Sequence, residues 1–304
     1  MTTNATTPGT ASPTGTPARA AIERVGVVGS GIMGTGIAEL CAKSGLDVRV
    51  AVFSETSLDT APERLAASLD RGVAKGKLTP ADRDRALARV SFTRDLGRLA
   101  DRQLVIEAVK EDEALKQDLF ATLDKIVEDT DAILATNTSS IPISRIAAAT
   151  RRPAQVLGIH FFNPVPVLPL VEVVGSVLTD AAVVRRAETF VRDVLGKQPI
   201  VSPDRAGFLV NALLFPYLLS AVRMLESGHA DADTIDQAMT QGCSHPMGPL
   251  RLADLIGLDT TVSIAQALYE EYKEPLYAPP PLLMRMTESG LLGKKTGQGF
   301  HTYA

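Results

Sequence analysis

Apolar and polar positions change rhythm once along this chain. Up to about Pro203, short β-branched runs alternate with longer stretches whose apolar residues recur at helical spacing; beyond it only the helical spacing remains. The runs at 24–29, 47–52, 104–107, 132–136, 156–160 and 170–174 predict strands. Between them the pattern predicts a helix through Ile37, Leu40 and Cys41, one over 60–77, and one over 113–127. Another helix starts at Thr79 and Pro80, with Thr79 as cap and Pro80 in the first position. Strands alternating with helices imply an α/β fold with a doubly wound, largely parallel sheet. After Asp204 the segments 207–226, 232–241, 250–258 and 260–272 predict an all-helical second domain. The chain thus divides into a tail over 1–22, a sheet domain over 23–203 and a helical domain over 204–304.

Composition narrows the choices. The 304 residues are 45% hydrophobic, enough for a full core, and the net charge of −4 gives no reason to expect nucleic acid as a partner. The first twenty residues are mainly Thr, Pro, Ala and Gly, too poor in large apolar side chains to offset ordering entropy, and hold no signal-peptide core. Asn211, Pro216 and Arg223 interrupt the best membrane candidate, 207–225, which predicts a buried core helix instead. Two separated cysteines, Cys41 and Cys243, fit a reducing cytoplasm better than a disulfide scaffold or metal cluster.

Sheets of this kind bind ligands outside the carboxyl ends of their strands, so polar residues there carry the candidate chemistry. Gly29-Ser30-Gly31-Ile32-Met33-Gly34 follows the first strand and matches G-x-G-x-x-G, which lets a dinucleotide pyrophosphate approach the backbone at a helix N-terminus. The acid that binds the ribose hydroxyls is missing from its place at the end of the second strand, where Val52 stands; Glu55 comes three residues later. That weakens the preference for NAD without establishing NADP.

His160 ends an apolar strand, and Glu172 lies inside another, where a charge needs a partner. A histidine oriented by a carboxylate is suited to removing a hydroxyl proton near neutral pH. Asn137-Thr138-Ser139-Ser140 follows a further strand, with Ser139 placed to donate to a reacting oxygen. Asn211 is an amide in an apolar run; a substrate contact and a hydrogen bond between helices are both open. His229, His245 and His301 lie in the helical part and read as structural or surface residues.

Together these motifs resemble the 3-hydroxyacyl-CoA dehydrogenase family, in particular its bacterial short-chain 3-hydroxybutyryl-CoA members, from about Arg24 to Tyr303. Further matches are 105–109, 207–211, 245–249 and 294–300. The resemblance implies an NAD-binding Rossmann domain, a helical domain that forms a homodimer, and an acyl-CoA substrate. It implies His160 as catalytic base, Glu172 as its partner, and Ser139 and Asn211 around the C3 oxygen and thioester. Glu111, Lys116, Ser139, Asn163 and Lys295 fall where the family contacts the cofactor, and Ser68 and Lys75, followed by Lys77, where it contacts CoA. Two departures are Val52 and His301; the second, in place of a tyrosine, is expected to have little effect. A dehydrogenase of groups on acyl carrier protein, and a non-catalytic dinucleotide-binding protein, remain as alternatives.

Overall fold

The computed structural model describes residues 21–303. The tail expected over 1–22 lies almost wholly outside the described residues. Its last two do not belong to it: the Ala21 carbonyl accepts from Gln103 Nε2, and Ile22 is buried in the core.

One sheet runs in the order β3-β2-β1-β4-β5-β6-β7-β8. Its strands are β1 (Arg24–Val28), β2 (Asp47–Ala51), β3 (Val90–Thr93), β4 (Leu104–Glu107), β5 (Ile133–Thr136), β6 (Val156–Phe161), β7 (Leu170–Gly175) and β8 (Gln198–Pro203). Neighbours from β3 through β6 are parallel; β7 is antiparallel to β6, and β8 runs with β7. Helices α1 (Ile32–Lys43), α2 (Glu55–Ala74) and α3 (Pro80–Ala88) bury Ile37, Leu65 and Ala86 on one face of the sheet. On the other, α4 (Glu113–Ile126) and α5 (Ile143–Ala147) bury Phe120, Leu123 and Ile146; α6 (Ala181–Thr189) returns to the first face with Val183 and Ala187. With both faces covered, the central strands read as continuous apolar runs.

The sequence pattern misses both edge strands. β3 is short and half-exposed, and β8 carries Pro199 and Pro203, so neither presents the apolar run of a central strand. It also starts α2 too late. Ser54 caps that helix, accepting from Ser57 N at 3.0 Å, so the first turn lies before Pro62.

The second domain contains α7 (Val210–Glu226), α8 (Ala232–Gly242), α9 (Pro249–Ile256), α10 (Leu258–Tyr272) and α11 (Pro281–Glu288), around Leu219, Val222, Leu250, Leu258 and Leu283. The helix expected from Gly207 begins three residues later, because Gly207 (φ 74°) and Phe208 (φ 46°) are both left-handed. Among the described residues no helix is long and apolar enough to cross a membrane.

Two glycines make the turn after β1 possible. Gly29 has φ 106°, and a Cβ there would lie 2.6 Å from the Ala108 carbonyl oxygen. A Cβ on Gly34 would lie 2.0 Å from the Gly29 oxygen, whereas one on Gly31 would meet nothing within 4 Å. Gly34→Ala is therefore expected to cost about 2–4 kcal/mol in denaturant unfolding, while Gly31→Ala stays within about 0.5 kcal/mol of the wild type.

Candidate active site

The reversal between β6 and β7 sets His160 directly opposite Glu172 in register. Both are interior, at 4% and 0% exposure. His160 Nδ1 donates to Glu172 Oε2 at 2.7 Å, which fixes the proton on Nδ1 and leaves Nε2 as the basic nitrogen. Ser139 Oγ, at the end of β5, lies 3.1 Å from Nε2 and donates to it in the neutral ring. Phe162 and Phe208 pack edge-on against the imidazole, with centroids at 4.6 and 5.5 Å.

The other oxygen of Glu172 faces the second domain. Oε1 accepts from the backbone N–H groups of Leu209 and Val210, each at 3.0 Å, at the start of α7. The left-handed pair Gly207–Phe208 turns the chain so that these N–H groups point at the carboxylate. In the first turn of the same helix, Asn211 is 7% exposed, and its side chain has no hydrogen-bond partner among the described residues. This removes the reading of Asn211 as a bond between helices and leaves its amide free for a ligand.

A second carboxylate system shapes the polar loop. Glu107, fully buried at the end of β4, accepts from Lys116 Nζ (2.6 Å), Thr136 Oγ1 (2.7 Å) and Val109 N (2.7 Å). Lys116 also lies 3.3 Å from Glu111, which accepts from the N–H groups of Ser139 and Ser140 and from the Thr138 and Ser140 hydroxyls. Burial opposes ionisation of Glu111, but Lys116 and these donors prevail and hold its carboxyl below the ordinary glutamate value. Lys116 is 1% exposed, so its ammonium holds Glu107 and Glu111 from within rather than facing the cleft.

The cleft of about 450 Å³ crosses the carboxyl ends of β1, β4 and β5, where the strand order switches direction. Gly31, Ile32 and Met33 line it from the turn, Glu111 and Ser139 from the next loops, and Asp259, Thr260 and Ser263 from α10. Lys295 reaches its rim as the ion-pair partner of Asp259, at 2.6 Å. The open side of Gly31 and the free helix start suit a dinucleotide pyrophosphate. Asn163 lines an adjoining, smaller cleft of about 170 Å³ with Ser68 and Arg64, which shares Ile32 with the first. Ser68 Oγ donates to Glu39, and Lys75 sits exposed at the end of α2.

Several residues here escape sequence reading. Glu107 carries the same signal as Glu172, an acid in an apolar strand, and was open to the same argument. Asn137 Oδ1 accepts from Phe161 N at 2.9 Å and ties the ends of β5 and β6 together. No local pattern marks Phe208 or Asp259. His301 departs from the expectation of little effect: its side chain is 7% exposed and lies 2.8 Å from Asp236 and 3.5 Å from Asp233. Its Nε2–Asp236 contact fastens the last segment to α8. His245 pairs with the Tyr217 hydroxyl, and His229 is exposed.

A dinucleotide turn, a histidine–carboxylate pair and a facing helical domain define a nicotinamide-dependent alcohol dehydrogenase in the broad chemical sense. Residues 24–205 match the model of the 3-hydroxyacyl-CoA dehydrogenase NAD-binding domain, and 207–303 match that family's C-terminal domain; the chain belongs to this family. It is 59% identical over 283 residues to a Mycobacterium tuberculosis 3-hydroxybutyryl-CoA dehydrogenase, covering 93% of this chain and 99% of the relative. It is 40% identical to the mitochondrial hydroxyacyl-coenzyme A dehydrogenase of Mus musculus, over 93% of this chain and 91% of that one. The crystal structure of (S)-3-hydroxybutyryl-CoA dehydrogenase from Ralstonia eutropha superposes with a TM-score of 0.88 at 42% identity, covering 93% of this chain and 100% of that one.

Glu172→Gln keeps the size of the side chain but removes the charge shared by the imidazole and the α7 N–H groups. Turnover is expected to fall by about a hundredfold or more, with about 1–3 kcal/mol of stability lost, read by steady-state kinetics and denaturant unfolding.

Proposed function

We propose that this chain interconverts a short (S)-3-hydroxyacyl-CoA, foremost 3-hydroxybutyryl-CoA, and its 3-keto thioester. The observation that carries the reading is the line Ser139–His160–Glu172 beside the dinucleotide cleft, with buried Asn211 next in sequence to the Val210 N–H that Glu172 accepts. The names and identities of the relatives support the short acyl chain and the CoA carrier.

NAD, when bound, supplies the hydride acceptor. His160 Nε2 takes the proton of the C3 hydroxyl as hydride leaves the same carbon. Glu172 keeps the proton on Nδ1 and stabilises the imidazolium that forms. Ser139 Oγ, already within reach of Nε2, donates to the C3 oxygen, and the Asn211 amide orients the substrate through that oxygen or the thioester carbonyl. Phe162 and Phe208 hold the ring plane and keep water from its faces. Reduction runs the same steps backward. Ser68 and Arg64, in the smaller cleft, and Lys75 and Lys77, at the end of α2, supply polar and cationic contacts for CoA.

His160→Ala is expected to lower turnover at least about a hundredfold, the lower range for general acid–base catalysis, while NADH binding stays near the wild-type value. Initial rates with acetoacetyl-CoA and NADH check the first part, and calorimetry the second; near-normal turnover would refute the role of His160. Assaying acetoacetyl groups on acyl carrier protein beside the CoA thioester tests the carrier, and exclusive use of the protein-bound form would exclude CoA.

The chain is also proposed to act as a homodimer through its helical domain, in the reducing cytoplasm that its cysteine usage suits. Leu209, Leu213 and Met224 leave one side of α7 apolar and exposed, with Leu213 at 72% exposure. Leu213→Glu is expected to shift the chain to monomers in light scattering after size exclusion; an unchanged mass would place the contact elsewhere.

A further inference from the structure

Lys197, just before β8, is a buried cation with no part in the proton and hydride steps. It is 8% exposed, and its Nζ donates to the carbonyls of Val165, at 2.8 Å, and Leu168, at 2.7 Å. Among the described residues it has no carboxylate partner. Burial, with the charge of Lys43 added to it, pushes its ammonium below the ordinary lysine value. A lysine kept where its charge is disfavoured is there for what its donors hold.

They hold the segment 162–169, which reverses the chain between β6 and β7. Prolines at 164, 166 and 169 deprive it of N–H groups, and those of Val167 and Leu168 both turn to the Pro164 carbonyl. The carbonyls of Val165 and Leu168 are left for a donor from outside the segment, and Lys197 is that donor. Gln198 N continues the seam on the Pro169 carbonyl at 2.8 Å. On its other side the segment is seated on α1, where a Cβ on Gly36 would lie 2.9 Å from Val165 Cβ. Residues 163–166 thereby form one wall of the smaller cleft, which Arg64 and Ser68 of α2 also line.

We propose that Lys197 is a positioning residue for the CoA end of the substrate: through two carbonyls it keeps the segment 162–169 seated on α1, and so maintains the cleft in which Arg64 and Ser68 meet CoA. This rests on the CoA reading of that cleft. Lys197 acts through the segment and itself lines neither cleft. His160 is secured separately, by its pairing with Glu172 across β6 and β7 and by the bond from Phe161 N to Asn137. Loosening the segment therefore weakens binding of the carrier and spares the chemical step, which raises KM and leaves kcat.

The test compares acetoacetyl-CoA with acetoacetyl-N-acetylcysteamine, a thioester that lacks the nucleotide and most of the pantetheine arm, at saturating NADH. Lys197→Met keeps the length of the side chain and removes both donors. It is expected to raise KM for acetoacetyl-CoA about tenfold, the worth of roughly one hydrogen bond, with kcat within about threefold of the wild type. For the short thioester, kcat/KM should stay within about threefold. Gly36→Ala pushes on Val165 from the opposite side and should raise the same KM without touching Lys197, so it decides if Lys197→Met does not fold. Equal losses with the two thioesters, or an unchanged KM for acetoacetyl-CoA in the folded variants, overturn the proposal. Equal wild-type KM values for the two thioesters would overturn the CoA reading of the cleft itself, and the proposal with it.

Discussion

A carboxylate with no exposed surface, Glu172, is shared between the imidazole of His160 and the first N–H groups of α7. An ion buried without partners costs several kcal/mol, so this one persists only while strand β7, strand β6 and helix α7 keep their places. Much of the architecture follows from meeting that demand. The antiparallel turn into β7 puts the acid opposite the base, and the left-handed pair Gly207–Phe208 aims the helix at it. A non-glycine residue in that conformation costs on the order of 1–2 kcal/mol, which the hydrogen bonds to Glu172 offset. Catalytic geometry and the joint between domains are thus one set of interactions.

Glu107 and Glu111 repeat the device on the cofactor side. A buried acid at the end of β4 holds Lys116, and Lys116 in turn steadies Glu111. Glu111 then gathers the backbone of Ser139 and Ser140. The orientation of the Ser139 hydroxyl depends on a lysine that never reaches the cleft. Such support is what holds a reacting group within the narrow tolerance that hydrogen-bond catalysis needs.

The central strands, the glycine turn and the pair His160–Glu172 were legible because each follows a local rule: an apolar run, a turn only glycine can make, a charge where apolar residues belong. What stayed hidden depends on tertiary contact. Phe208 reads as one more apolar residue until its φ is known, and Asp259 as a surface acid until α10 closes over the cleft. Lys116 was legible by family resemblance as a cofactor contact, but its burial makes it a support for Glu111. His301 looked inconsequential beside a tyrosine of similar shape, because no sequence pattern reveals that Asp236 waits for its ring. Both edge strands escaped for the opposite reason, having too little apolar character to register.

The prolines that hid β8 have an effect on how copies of the chain can meet. Gln198 N points to β7, where it bonds the Pro169 carbonyl, so alternation turns positions 199, 201 and 203 outward. Two of those three are proline and carry no N–H, leaving Val201 as the only donor along that margin. A foreign strand finds almost nothing to zip onto along β8, so the sheet is guarded against growing from molecule to molecule past that edge.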